Sequence, residues 1–145
     1  MKNLEGIARE VDSMRDRQDR PVEKKIRELL IGLRRCGIET EASCEGHLDH
    51  GFPYPWVDIL PISLHMLLRV VAWQNRPGLP GGLVNTNTWV IRPGGVIRLI
   101  PEDKNLPLEK LQDMAVEFGL FLQRLPDEWF SYPRRLVLLM KGMLV

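Results

Sequence analysis

A cysteine and two histidines lie close together in the stretch EASCEGHLDHGFPYPWVDIL, residues 41–60. Cys44 and His47 are three residues apart, and His50 follows three residues later. A thiol beside an imidazole can serve as a nucleophile with its base, or the two side chains can bind a metal. The surrounding glycines and prolines indicate a loop. We therefore consider this loop the candidate functional site.

The first possible chemistry is nucleophilic catalysis by Cys44. A neighbouring imidazolium on His47 would lower the pKa of the thiol and populate the reactive thiolate near neutral pH. Such a pair also needs a group that orients the histidine. Glu45, Asp49 and Asp58 are candidates, and the predicted catalytic set is Cys44, His47 and Glu45.

The second possible chemistry is metal binding by Cys44, His47 and His50. Thiolate and imidazole ligands together suit zinc, so zinc is the cofactor that this loop would favour. Asp49, Asp58 or a water molecule could complete a tetrahedron. Three protein ligands with one open position are typical of a catalytic zinc site.

The third possibility is a small molecule or nucleotide bound by the turn and the sheet beside it. Ser43 and the backbone amides of the turn could contact an anion, and Gly46 would allow the backbone to approach the ligand closely. Charged residues on the adjoining strands would supply either cross-strand ion pairs or a polar platform. These residues are Glu39, Glu41, Asp58, Arg92 and Arg98.

A purely structural interpretation of the loop is the alternative to all three. In IETEASC the alternation places Ile38, Thr40, Ala42 and Cys44 on one side of a strand. Cys44 would then point into the core, where a free cysteine behaves as a small hydrophobic residue. Under this interpretation the two histidines are only solvent-facing side chains of a turn.

The motif SCEGH, followed by a proline-rich link and PWVDI, resembles the signature of small uncharacterised bacterial and phage proteins. Those proteins carry a Ser-Cys-Glu-Gly segment, a nearby histidine and a Pro-x-Val strand, and the resemblance implies no activity. More distantly, residues 21–60 are similar to the wybutosine-synthesis methyltransferases, which act on tRNA with S-adenosylmethionine. Ser43, Cys44 and Gly46 match the motif of that family, and His47 stands where it has an arginine. This similarity implies the same order of helix, strand and motif loop.

The elements that must position the loop are predicted from hydrophobic periodicity. Two amphipathic helices come first, the second running from Pro21 to a left-handed cap at Gly37 with Cys36 in the core. Strands at 38–44 and 56–60 should pair antiparallel around the loop. A helix from Ser63 would place Leu64, Leu67, Leu68 and Val71 inward and His65 and Arg69 outward. A hairpin near residues 89–101 and a last helix along Leu108, Leu111, Ala115, Phe118 and Leu122 complete the pattern.

This order, ααββαββα, predicts an α+β fold with a four-stranded, mainly antiparallel sheet and helices packed on one face. We expect one domain over residues 1–145, because the chain has 145 residues of which 44% are hydrophobic. The run RDRQDR, residues 15–20, is typical of a solvated connector. The apolar tail could be a strand, a helix or an arm that packs on a partner chain.

The charge balance limits the classes of partner. A formal net charge of +1 gives no overall field for nucleic acid. The first residues do not resemble a signal peptide and no long apolar run suggests a membrane span, so a cytosolic protein with reduced thiols is expected. We expect binding of a small molecule or nucleotide at the loop from Ser43 to His50. The alternatives are a metal- or thiol-dependent enzyme centred on Cys44 and His47, and a homo-oligomeric module assembled through residues 136–145.

Overall fold

The helices and strands follow the predicted order. A computed structural model describes residues 3–74, 89–92 and 95–131. Its helices are α1 (Leu4–Ser13), α2 (Arg27–Arg35), α3 (Leu64–Gln74), α4 (Leu108–Gln123) and the short α5 (Glu128–Ser131). Its strands are β1 (Thr40–Cys44), β2 (Trp56–Ile59), β3 (Trp89–Arg92) and β4 (Ile97–Pro101). The prediction of an α+β fold is confirmed.

The four strands form one antiparallel sheet in the order β1-β2-β4-β3. Cys44 in β1 lies opposite Trp56 in β2, which confirms that the two strands flanking the loop pair antiparallel. β4 pairs with β2 on one side and with β3 on the other. The sheet therefore holds the end of β1 and the start of β2 together, and the loop between them is anchored at both ends.

The main core lies between one face of the sheet and the helices. Val57, Ile59 and Leu99 from the sheet are buried with the apolar faces of α2 and α4. The two helices pack closely at Gly32 and Gly119. A Cβ atom on Gly32 would lie 2.6 Å from the Gly119 carbonyl oxygen, a separation that real side chains do not adopt. Helix α2, which follows the connector bearing Glu23, is thus fixed rigidly against α4.

The second predicted helix begins later than expected. The apolar stripe suggested a start at Pro21, whereas α2 begins at Arg27. The predicted left-handed cap at Gly37 is confirmed, because its φ is +76°. The assignment of Cys36 to the core is also confirmed, and burial raises the pKa of its thiol to about 12. Residues 24–26 instead form a turn that leads into α2, in which the Ile26 amide donates a hydrogen bond to the Glu23 carbonyl and the Ile26 side chain is buried.

Helix α3 departs from the prediction at two of its positions. Arg69, expected to point outward, is only 3% exposed, while Leu68 is 48% exposed. The Arg69 guanidinium lies over the Trp129 ring at 4.7 Å and donates a hydrogen bond to the Trp129 carbonyl oxygen. An aromatic ring face and a carbonyl oxygen can both stabilise a cation. Arg69 can therefore be buried although it pairs with no carboxylate among the described residues. Leu67 is buried and His65 is exposed as predicted, so the prediction was wrong at Arg69 and Leu68.

Two predictions concern residues outside the described ranges. The irregular segment expected after α3 and the apolar tail both lie largely outside the described residues, so assembly through residues 136–145 stays a prediction. None of the helices in the described ranges has the length and apolar character needed to cross a membrane.

Candidate functional site

A β-bulge in β1 decides where Cys44 points. Thr40 lies opposite Ile59, but Ala42 lies opposite Asp58, so β1 has one more residue than β2 between these pairs. An extra residue reverses the alternation of side chains beyond it. Cys44 therefore shares the face of Asp58, away from the main core, and its side chain is half-buried. The inward orientation of Cys44, which the purely structural interpretation of the loop required, is wrong.

The turn after Cys44 is tightly built. Gly46 has φ +89°, and a Cβ atom there would lie 2.8 Å both from Leu108 Cδ1 and from the backbone carbon of Tyr54. Its amide lies 3.4 Å from Cys44 Sγ, to which it donates a hydrogen bond. The His47 amide then donates to the Phe52 carbonyl at 3.0 Å. Gly46 is thus required for the chain to pack against itself, a different role from the approach to a ligand suggested by the sequence.

Glu23 joins this loop from the connector before α2. Its Oε2 atom lies 2.6 Å from His47 Nε2, and its Oε1 atom accepts a hydrogen bond of 3.0 Å from the Glu45 amide. Glu23 was not predicted from the sequence because no local spacing rule links residues 24 positions apart. The predicted partner, Glu45, instead accepts a hydrogen bond from the Lys25 amide at 2.8 Å. Glu23 is therefore the carboxylate that holds the His47 imidazole.

The potential metal ligands form two groups that share His47. Atoms of Glu23, Cys44 and His47 that could bind a metal lie within 4.8 Å of one another, as do those of His47, Asp49 and His50. The three predicted ligands, Cys44, His47 and His50, are thus divided between the groups. The His50 ring stacks on the His47 ring at 4.2 Å and pairs with Asp49 at 2.8 Å. Glu23 takes the place that the sequence analysis gave to His50.

The electrostatic environment of Cys44 opposes an activated thiolate in the metal-free protein. Burial has the largest effect and raises the pKa of the Cys44 thiol; the hydrogen bond from the Gly46 amide lowers it by less, and the carboxylates of Glu23 and Glu45 raise it further. No hydrogen bond joins the two described side chains of Cys44 and His47. The neutral thiol is therefore the favoured form at neutral pH, and this arrangement does not favour a Cys44–His47 nucleophile pair.

Two of the five charged residues predicted on the open face of the sheet, Asp58 and Arg98, bind each other. Arg98 Nε and Nη2 donate to the two carboxylate oxygens of Asp58 at 2.6 and 3.0 Å, and this bonding raises the pKa of Arg98. The guanidinium also lies 4.0 Å from the centre of the Trp56 ring. Arg92, opposite Arg98 in β3, is exposed. The sequence predicted either cross-strand ion pairs or a polar platform on this face, and Asp58 and Arg98 form the ion pair.

The loop borders a cleft of about 870 Å³. The opposite wall is the connector between α1 and α2, which is an ordered turn. The Asp16 carboxylate accepts hydrogen bonds from the Gln18 and Arg20 amides at 2.8 and 2.9 Å and from Arg20 Nε at 3.1 Å. Residues lining the cleft include Arg15, Arg17, Glu23, Glu41, Ser43, Cys44, His47, His50, Phe52, Trp56 and Asp58. The predicted solvated connector therefore forms one wall of the site.

The chain matches no protein-family model and has no significant match among curated proteins or solved structures. The resemblance to the bacterial and phage proteins and the more distant similarity to the tRNA methyltransferases stay predictions. The chemistry of the cleft has to be inferred from its own residues.

Proposed function

We propose that the protein binds a small anionic molecule with a planar ring, of the nucleotide class, in the cleft between the 15–21 turn and the 43–52 loop. The observation that carries the proposal is that Arg15 and Arg17 line this cleft and pair with no carboxylate in the described part of the chain. Arg15 donates only to the backbone carbonyls of Asp12 and Met14. Both guanidinium groups keep an uncompensated positive charge.

The other charges of the cleft are mostly paired. Asp16 binds Arg20, Asp58 binds Arg98, and Glu23 binds the His47 ring. Arg15 and Arg17 are left on the turn, so the unpaired positive charge of the cleft is concentrated there. Glu41 and Glu23, whose His47 partner is charged only when protonated, lie elsewhere on the cleft wall. A phosphate or carboxylate group on the ligand would form charge-assisted hydrogen bonds with the arginines.

The cleft also offers aromatic surface for a ring. Phe52 is 40% exposed at its rim, and Trp56, partly buried, lies beneath the Arg98 guanidinium. A volume of about 870 Å³ is within the range of sites for ligands of nucleotide size. A ligand would stack its ring near Phe52 while its anionic group contacts the arginines of the turn.

The proposal is tested by calorimetric titration with adenosine monophosphate, adenosine and inorganic phosphate. We expect the nucleotide to bind more tightly than either half, and Arg17→Ala to weaken its binding about tenfold, since a hydrogen bond to a charged group contributes about 1.5 kcal/mol or more. Arg9→Ala, an exposed arginine on α1 outside the cleft, should leave binding unchanged. No saturable binding of the nucleotide, or equal loss in both variants, would refute the proposal.

A further inference from the structure

We propose that Glu23, Cys44 and His47 form a zinc site on the wall of the cleft. The three side chains come from two segments that are distant in sequence, and their ligand atoms lie within 4.8 Å of one another. Zinc with bonds of about 2.0 to 2.3 Å requires tetrahedral ligand atoms about 3.3 to 3.6 Å apart. The 2.6 Å pair of Glu23 and His47 therefore has to open by less than about 1 Å, a change within the reach of side-chain rotation.

The backbone already orients the ligands. Glu23 Oε1 is held by the Glu45 amide, which leaves Oε2 directed toward His47. The Gly46 amide donates to Cys44 Sγ, an interaction that also stabilises a metal-bound thiolate. The side-chain amide of Gln112 donates a hydrogen bond to the Glu45 carbonyl at 3.1 Å and connects the turn to α4. Such outer contacts are typical of metal sites, where they fix the ligand orientation.

The charges of the group also fit a divalent cation. A carboxylate and a potential thiolate lie side by side, and no lysine or arginine within the described ranges pairs with Glu23. Sulfur, nitrogen and oxygen ligands in one tetrahedral set suit zinc better than magnesium or calcium, which prefer oxygen alone. On binding, Cys44 Sγ releases its proton to solvent, and His47 coordinates through Nε2 with its remaining proton on Nδ1.

Three protein ligands leave one tetrahedral position for water or for a ligand in the cleft, because all three line the cleft. His50 does not complete the set, since it belongs to the other group with Asp49 and stacks on the face of His47. The site is therefore open, an arrangement typical of zinc centres that contact a substrate. The zinc site does not depend on the identity of the ligand and can be tested with the metal alone.

The test is titration of chelator-treated, untagged protein with Co²⁺ and Zn²⁺, followed by elemental analysis. We expect one metal per chain and, with Co²⁺, an intense thiolate-to-metal charge-transfer band. Cys44→Ser should abolish the band, and Glu23→Gln and His47→Ala should each weaken metal binding at least tenfold. Cys36→Ala and His65→Ala, which change a core thiol and an exposed imidazole on α3, should retain the band and the affinity.

Circular dichroism establishes that each variant is folded, and His50→Ala discriminates between the two groups. The proposal predicts that His50→Ala keeps the stoichiometry and the charge-transfer band. Loss of metal in His50→Ala with retention in Glu23→Gln would place the ion at the other group and overturn the proposal. Folded wild-type protein that binds no Co²⁺, or binds it without the band, would overturn it as well.

Discussion

His47 Nε2 and Glu23 Oε2 lie 2.6 Å apart although 24 residues separate them in sequence. This contact joins the connector before α2 to the loop between β1 and β2. The cysteine and histidine of the loop therefore lie in a cleft whose two walls are the loop and the connector. The cleft, the candidate metal group and the position of the imidazole all depend on this connection.

Gly46→Ala should destabilise the protein more than Gly51→Ala. Both glycines have positive φ, but only at Gly46 would the new Cβ lie 2.8 Å from a neighbouring backbone atom, whereas nothing lies within 4 Å at Gly51. We expect a loss of about 1 kcal/mol at Gly51 from backbone strain and about 3 kcal/mol at Gly46 from strain and overlap together. Urea denaturation measures both values. Equal losses would show that the turn has room for a side chain.

Asp58→Ala should be far more costly than Asp12→Ala. Asp58 and Arg98 form a bidentate pair whose side chains are 10% and 14% exposed, so removal of the carboxylate leaves a largely buried cation. We expect a loss of about 3 kcal/mol. The Asp12–Arg27 pair is much more exposed and should contribute less than about 1 kcal/mol. Thermal or urea unfolding compares the variants, and similar small losses would contradict the structural role of the Asp58–Arg98 pair.

Alkylation of the two cysteines should distinguish their environments in metal-free protein. Burial and the nearby carboxylates raise the pKa of Cys44, so its reaction with iodoacetamide should be slow at pH 7 and accelerate only above the usual thiol pKa of about 8.5. Glu23→Gln removes a negative charge and should increase the rate at a given pH. Cys36 should react only when the protein unfolds. Mass spectrometry follows both sites.

The unfolded protein is the control for this experiment. If Cys44 reacted faster at pH 7 in the folded chain than in the unfolded chain, and lost that reactivity in His47→Ala, the thiolate pair suggested by the sequence would be favoured over a neutral thiol.

Asp16→Ala should weaken nucleotide binding by disordering the turn that holds Arg15 and Arg17. Hydrogen bonds from the backbone and side chain of Arg20 and from the Gln18 amide lower the pKa of Asp16. The lowered pKa means that the turn is stabilised above the usual carboxyl pKa of about 4 and loses this stabilisation as pH falls through the lower folded-state value. We expect about a threefold to tenfold loss of affinity at pH 7, since an ordered site binds at a lower entropic cost.

Calorimetry measures the loss, and Asp16→Asn, which keeps one acceptor oxygen, should give an intermediate value. Wild-type affinity in Asp16→Ala would show that order in the turn does not contribute to binding.

The fold was predictable from the sequence because its elements carry clear periodicity. The stripe of α4 and the strands around the loop appear where the pattern places them. The burial of Arg69 in α3 was not predictable, since a buried arginine contradicts the general rule that charge faces water. Its burial depends on Trp129, a residue 60 positions away that packs against it.

The candidate site was predictable only in part. The motif directed attention to Cys44 and His47, whose side chains the structure brings close together. The bulge in β1 could not be read from a strand of five residues, and it reversed the direction of Cys44. Glu23 depends on tertiary packing of the connector, so no spacing rule could have selected it over Glu45.

The location of the ligand is tested most directly by mapping nuclear magnetic resonance chemical shifts of backbone amides during titration with adenosine monophosphate. Binding in the cleft predicts saturable shifts concentrated in the 15–21 turn and the 43–52 loop, with Arg17 and Phe52 among the residues most affected. The chemical shifts of the α3 amides should remain unchanged. Shifts centred on other described residues, with the turn and the loop unaffected, would contradict a binding site in this cleft.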